Sequence, residues 1–435
     1  MSTDAPTEPL LAALLAGIEE ELPAAVALRR RLHADPELAH REHRTAAALA
    51  AELPVPCRTI AGTGLIARIG GPPARGGADE GLGDGLAAAG TIAVRAELDG
   101  LPVAERTGAP FSATGDAMHA CGHDIHMAAL VALARAVHGL GEAGVPGGTG
   151  TAGEANAAGA ADACPAPLLA IFQPSEEAYP SGAEEIAAVL AGPEPPAARP
   201  AAILAAHVHP ELPWGTVALD PGLVNASCDY VAIEVHGEPA HGAYPHLGRD
   251  PILALAEIVV SLHALAGRRI DPLRQATLTV GTIEGGSAEN VIPARARARA
   301  ALRAYRPEDR LALRALIEEV AAGVAAAHGC RAEVELSCGE PALENDPELA
   351  TRARALLGEA GFALAPEWRS CGSDDFAFFA ALGTPLAMAF VGLDGAPRFT
   401  ARPLHHPELL PPEEAVGAVA RTLAVLYVAA ASSGG

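Results

Sequence analysis

The chain has 435 residues and carries 30 basic groups against 53 acidic ones, a net charge of −23, which argues against a nucleic-acid or anionic-membrane partner. Every basic residue is arginine, so lysine Schiff bases, lysine-bound pyridoxal phosphate and a Walker-type phosphate loop are excluded. Half the residues are hydrophobic, enough for a sizeable core over about two or three domains, while 3% aromatics leave no platform for stacked bases. Periodicity predicts helices over residues 10–22, 24–33 and 41–53, then strands over 65–69 and 92–97. A helix over 125–140, a strand over 168–172, a helix over 183–190 and a strand over 201–206 continue the alternation, which implies a mostly parallel sheet covered by helices. The stretches 70–90 and 141–167, rich in Gly and Ala, read as surface insertions without chemistry.

From about Cys228 the pattern changes. Val231, Ile233 and Val235 alternate with polar residues, a helix follows over 251–265, strands over 277–283 and 295–305, a helix over 308–328 and a strand over 331–336. That β-α-β-β-α-β order is the ferredoxin-like unit. Helices over 347–360 and 412–428, with a strand over 386–391, read as the first domain resuming. The expected organisation is a catalytic α/β domain over 1–224 and 341–435 with an α+β domain inserted at 225–340.

Seven irregularly spaced cysteines provide no disulfide framework and fit a reducing cytoplasm. The acidic N-terminus does not read as a secretory signal. The longest terminal apolar stretch, 423–431, falls short of the roughly 20 residues of a membrane span. A soluble protein is expected.

The densest chemistry lies in Met118-His119-Ala120-Cys121-Gly122-His123-Asp124-Ile125-His126. A thiolate and an imidazole two residues apart on an extended loop can face one metal, whereas the paired Cys or His of a structural zinc site are absent. The alternative is a helix start capped by Asp124 with buried histidines. Phe172-Gln173-Pro174-Ser175-Glu176-Glu177 follows a predicted strand, where ligands gather in open α/β sheets. One of its carboxylates can bind metal while the other serves as general base, the alternative being a solvated acidic pair. His207 and His209 also follow a strand, and His405-His406 precede the last helix; histidine is the commonest metal ligand. Asp99 either orients a ligating imidazole or forms an ordinary Asp-Gly turn. The glycines of Gly62-Thr63-Gly64 precede a strand instead of leading from strand into helix, so they fail as a dinucleotide fingerprint.

These landmarks, together with Leu28-Arg29-Arg30-Arg31-Leu32-His33, Pro36-Glu37-Leu38, Arg95-Ala96-Glu97-Leu98-Asp99, Ala240-His241, Asn290-Val291-Ile292-Pro293, Ser373-Asp374-Asp375-Phe376 and His405-His406-Pro407, stand in one order over nearly the whole chain. In that order the sequence resembles the amidohydrolase branch of the aminoacylase and carboxypeptidase-like co-catalytic metallopeptidases, which includes hippurate hydrolases and indole-acetyl-amino-acid hydrolases.

The resemblance implies two divalent metal ions, zinc, manganese, cobalt or nickel, held by Cys121, His123, Glu177, His207 and His405. Glu176 is then the base for a shared water. It also implies that the inserted domain is a lid and the site of homodimerisation. His241 and Asn290 would reach the substrate or the developing oxyanion, and Arg303 a substrate carboxylate. Glu97 stands where the branch often has Asp, and Asp374 where it often has Glu. The implied reaction is hydrolysis of an N-acyl amino acid, a small-molecule substrate, by a metal-activated water. A metallo-dipeptidase or carboxypeptidase of the same family, a cysteine hydrolase using Cys121 and a catalytically silent metal- or peptide-binding protein are the alternatives.

Overall fold

The computed structural model describes residues 7–70, 90–143, 166–192, 199–271 and 273–432. The two expected Gly/Ala-rich insertions lie outside them except at their ends. Within the described residues the chain forms two compact units. Unit 1 comprises Met1–Gly222, Asn345–Trp368 and Phe378–Gly435; unit 2 comprises Leu223–Glu344 and Arg369–Ala377.

Unit 1 opens with α1 (Thr7–Ala34) and α2 (His43–Glu52), followed by β1 (Arg58–Ile60), β2 (Gly64–Ile69) and β3 (Ile92–Glu97). Next come α3 (His123–Ala143), β4 (Leu168–Gln173), α4 (Gly182–Ala191), β5 (Ala202–Pro213) and β6 (Thr216–Ala218). Two helices were expected where α1 stands. It runs unbroken through Pro23, since Leu11, Leu14, Ile18, Leu28 and Leu32 are all buried in one core and outweigh the roughly 3 kcal/mol cost of an internal proline.

Chain order continues with β7 (Gly222–Asn225), β8 (Ser227–His236), β9 (Ala240–His241), α5 (Pro251–Arg269), β10 (Ala276–Gly285), β11 (Val291–Ile292), β12 (Arg295–Ala304), α6 (Pro307–Ala327) and β13 (Arg331–Cys338). Then follow β14 (Leu343–Asn345), α7 (Pro347–Glu359), β15 (Ala363–Leu364), β16 (Leu386–Asp394) and α8 (Glu414–Ala431). The large sheet of unit 1 has the order β1-β2-β4-β3-β5-β16-β6-β15. Its centre is parallel, β4 with β3, β3 with β5 and β5 with β16, whereas β1–β2, β2–β4 and β16–β6 are antiparallel. Every residue of β3 and β4 is buried, as expected of parallel strands covered on both faces. Helices α1, α3 and α8 pack on one another, and α3 and α8 pack on the central strands.

In unit 2, β10-β12-β8-β13 form an antiparallel sheet, the strand order of the ferredoxin-like fold. Along β12 (RARARAALRA) Ala296, Ala298, Ala300, Leu302 and Ala304 are buried while Arg295, Arg297 and Arg299 stay exposed. The inward set packs with Val231, Ile233 and Val235 against Leu255, Ile258 and Leu262 of α5 and Leu316, Ile317 and Val320 of α6. Among the described residues α5 and α8 are long and apolar enough by composition to cross a membrane. α8 is buried on nearly every side in the core of unit 1, which accounts for its all-round apolarity.

Candidate metal centre

The chemistry of unit 1 gathers at one end of the sheet. Parallel strands β3 and β4 finish level with one another, Glu97 opposite Gln173, and release Asp99 and the Glu176-Glu177 pair. The pairing of β5 with β3 ends at Arg95–Ala205, and His207 lies two residues beyond. It was expected to follow its strand and sits inside it, because β5 continues to Pro213 alongside β16. The loop bearing Cys121 closes onto β5 at Gly122, whose φ is +88° and where a Cβ would stand 2.5 Å from Val208 Cγ2; only glycine fits. His405 is anchored to the same loop by its N–H, which donates to the Ala120 carbonyl at 2.8 Å.

The imidazoles are oriented by their partners. His123 Nδ1 is 2.9 Å from the Asp99 carbonyl, which can only accept, so Nδ1 carries a proton and Nε2 faces the cluster, buried and without a hydrogen bond. Asp99 Oδ2 accepts the Glu177 N–H at 2.9 Å. His207 Nδ1 donates to the Val208 carbonyl, leaving Nε2 3.5 Å from Cys121 Sγ. Ligand atoms of Cys121, His123 and Glu177 lie within 4.8 Å of one another. Glu176 Oε2 is 4.0 Å from His123 Nε2. His405 Nε2 approaches Glu177 Oε1 to 3.2 Å, yet that buried oxygen has no hydrogen bond. His405 is half exposed, unlike the others.

A second grouping of possible ligands, Glu97, His123, His126 and His207, also meets within 4.8 Å. Its central member is spent. His126 Nε2 accepts the Val208 N–H at 3.0 Å, so its Nδ1 carries the proton and donates to Glu97 Oε2 at 2.9 Å, while Glu97 Oε1 is bonded by Arg95. His126 therefore steers the backbone beside His207. Its spacing from His123 made it visible in the sequence, but that role depends on a contact 82 residues away.

Without metal, burial pushes the Cys121 thiol well up, and the Glu177, Glu176 and Glu97 carboxylates push it further. Burial opposes charge on His123 too, but Glu97, Asp99 and Glu177 outweigh it and raise its pKa to about 10. His207 is held well down by burial and the neighbouring His126. Carboxylates thus outnumber cations around a set of S, N and O donors, of which His123 Nε2 and Glu177 Oε1 are buried without a hydrogen bond. That mixed S, N and O set fits a divalent transition-metal ion.

Beside it lies a cluster of another kind. Asp124 Oδ2 accepts from Arg29 Nε at 2.6 Å and from His33 Nδ1 at 2.9 Å, and His33 Nε2 is 3.1 Å from Glu105 Oε1. The remaining expected site residues belong to unit 2. His241 is exposed on the short strand β9 with Nδ1 accepting the Ala243 N–H, Asn290 is exposed, and Arg303 Nη1 donates to the Cys371 carbonyl at 2.9 Å.

An open α/β sheet with side chains able to hold a metal at its strand ends, and a further carboxylate beside them, is the arrangement of a metal-dependent hydrolase. The model for Peptidase family M20/M25/M40 matches residues 93–428. N-acetyldiaminopimelate deacetylase of Bacillus pumilus (strain SAFR-032) is 31% identical over 399 residues, covering 90% of this chain and 94% of its own. N-acetyl-L-cysteine deacetylase of Bacillus subtilis (strain 168) is 31% identical over 408 residues, 92% of this chain and 86% of its own. A solved dinuclear metal-binding peptidase of the M20 family from Bacillus subtilis aligns with a TM-score of 0.71 at 26% identity, covering 94% of this chain and 98% of that one. The chain belongs to Peptidase family M20/M25/M40, and it is a metal-dependent amidohydrolase.

Proposed function

We propose that the enzyme removes the acyl group, acetyl in the first instance, from an N-acylated amino acid. The observation that carries this reading is the convergence of Cys121, His123 and Glu177 ligand atoms within 4.8 Å of one another, with His207 against Cys121 and Glu176 beside them, His123 Nε2 and Glu177 Oε1 being buried without a hydrogen bond. The deacetylase names of the relatives support acetyl over a hippurate-type aromatic acyl group. Cys121, His123, Glu177, His207 and His405 are the proposed ligands of two divalent ions, which acidify a water and polarise the scissile carbonyl when bound. Glu176 accepts the proton of the attacking water and returns it to the departing amine. Asp99 holds His123 and the Glu177 backbone in place. Cys121 is not the nucleophile in this reading, since a reactive cysteine needs a depressed pKa and this thiol is pushed the other way.

Turnover of N-acetyl, N-benzoyl and dipeptide substrates, each with and without chelator, is the test. Cleavage of N-acetyl amino acids that stops on chelation is expected. Activity that survives chelation would return the reading to Cys121, and exclusive dipeptide cleavage would make the enzyme a metallo-dipeptidase. His241 and Asn290 retain their proposed roles toward the substrate, and His241→Ala should lower turnover at constant metal content.

Unit 2 is also proposed to pair with a second copy of the chain. β10 is an edge strand with Ile283 exposed, and α5 exposes Ile252, Leu253 and Val260; an unpaired edge is self-complementary about a two-fold axis. Sedimentation of Val260→Glu beside the parent chain tests this. A reducing cytoplasm remains the proposed compartment on the odd number and irregular spacing of the cysteines in the sequence.

A further inference from the structure

Ser175, directly before the Glu176-Glu177 pair, is buried and has φ +54°, in the left-handed region. His40 lies in the same region, with φ +65°, and the two residues hold each other. The His40 N–H donates to Ser175 Oγ at 2.9 Å, and Ser175 Oγ is 2.9 Å from His40 Nδ1. His40 Nε2 lies 3.4 Å from the Tyr179 carbonyl, which only accepts, so in the neutral ring Nε2 carries the proton and Nδ1 receives the serine hydroxyl. The buried Glu42 completes the hold. Its Oε1 accepts the Ser175 N–H at 2.8 Å, and its Oε2 accepts the Thr63 hydroxyl at 2.6 Å. The Ser175 carbonyl accepts the Gly182 N–H at 3.2 Å, and a Cβ on Gly182 would lie 1.9 Å from the Pro174 oxygen.

A serine in contact with a histidine and a glutamate has the composition of a nucleophile triad, but the arrangement is wrong for one. The hydroxyl is buried, and the carboxylate bonds the serine and not the imidazole, so no base is oriented. Every polar group of Ser175 is instead spent on fixing its own backbone. Two residues on, the Glu177 N–H is fixed by Asp99. The peptide carrying Glu176 is therefore clamped on both sides.

We propose that His40, Ser175 and Glu42 are positioning residues, which impose the left-handed turn that aims Glu176 and Glu177. This rests on the roles given to those two glutamates above. L-residues disfavour that backbone region, so without the clamp the turn relaxes and misplaces the base, a displacement to which catalysis is far more sensitive than binding.

The test compares Ser175→Ala, His40→Ala and His40→Asn in the metal-loaded enzyme, with Glu176→Gln alongside. Asparagine tolerates the left-handed region and offers Oδ1 to the Ser175 hydroxyl. Ser175→Ala and His40→Ala are expected to lose about tenfold in kcat at unchanged KM, with full metal content and a Tm close to the parent. His40→Asn should restore most of the loss. Parent-level kcat in both alanine variants would overturn the proposal, as would a loss that merely follows metal content or Tm without rescue by His40→Asn. If Ser175→Ala does not fold, the two His40 variants decide. An active Glu176→Gln would instead sink the assignment of the base, whereas an inactive Glu176→Gln beside fully active clamp variants would sink the clamp alone.

Discussion

His123 and Asp124 are neighbours at the start of α3, yet their side chains enter buried clusters of opposite character. Asp124 meets Arg29 and His33, and His33 in turn meets Glu105. Burial opposes charge on His33, but Asp124 and Glu105 raise its pKa, so Arg29 and, when protonated, His33 face two carboxylates. His123 meets Cys121, Glu177 and His207 among several carboxylates. Buried atoms without hydrogen bonds occur in both clusters, His123 Nε2 and Glu177 Oε1 in one and Arg29 Nη1 and Asp124 Oδ1 in the other, so the difference between them is the balance of charge. Burying charges of one sign without counter-charge costs free energy that a folded protein ordinarily avoids. A cluster whose charges balance serves the fold, while one left open and negative is built for a cation the chain does not supply.

The largest test of that contrast lies at the open cluster. Glu176→Gln keeps the shape of the side chain but cannot take a proton, and should reduce turnover by at least about 10²-fold with metal content unchanged. Loss of metal in this variant would exchange the roles of Glu176 and Glu177. Next in size is a stability comparison in chelator. Asp124→Asn strips the balancing charge from Arg29 and His33 and should cost about 3–5 kcal/mol in urea unfolding. Cys121→Ala, in the same metal-free state, should cost about 1 kcal/mol or less, because the thiol it removes balances no neighbouring charge. Equal losses would erase the distinction between the two clusters.

Which parts of this could be read from the chain follows from how local each contact is. β3 is all apolar apart from Arg95 and Glu97, and its predicted bounds coincide with those found. The ligand loops follow from residue type and from their place beyond strand ends. What escaped depends on distant partners. Packing of α1 against α3 and α8 overrode Pro23, and pairing with β16 carried β5 past His207. The return of Arg369–Ala377 to unit 2 rests on contacts such as Arg303 with Cys371, which no periodicity announces. His40 and Ser175 are 135 residues apart. The one local hint was a small polar residue placed directly before two carboxylates.

The smallest expected effect concerns pH at the closed cluster. Burial alone would raise the Glu105 pKa, but hydrogen bonds from His33 and Thr107 bring it down to about 2 from an ordinary 4.5. A carboxylate lowered on folding stabilises fully above its unfolded pKa, and the contribution fades as pH falls from about 4.5 toward 2. His33 has the opposite sign, its raised pKa stabilising below the unfolded value and losing that contribution as pH rises through the folded one. Their mutual attraction is therefore greatest between these limits. Glu105→Gln should cost about 2 kcal/mol near pH 6, the scale of a hydrogen bond to a charged group. The gap from the parent chain should narrow on acidification toward pH 3.5 and again as pH rises through the raised pKa of His33. Urea unfolding of both chains across that range measures it, and a gap independent of pH would mean that the Glu105 carboxylate and His33 imidazolium do not pair as charges.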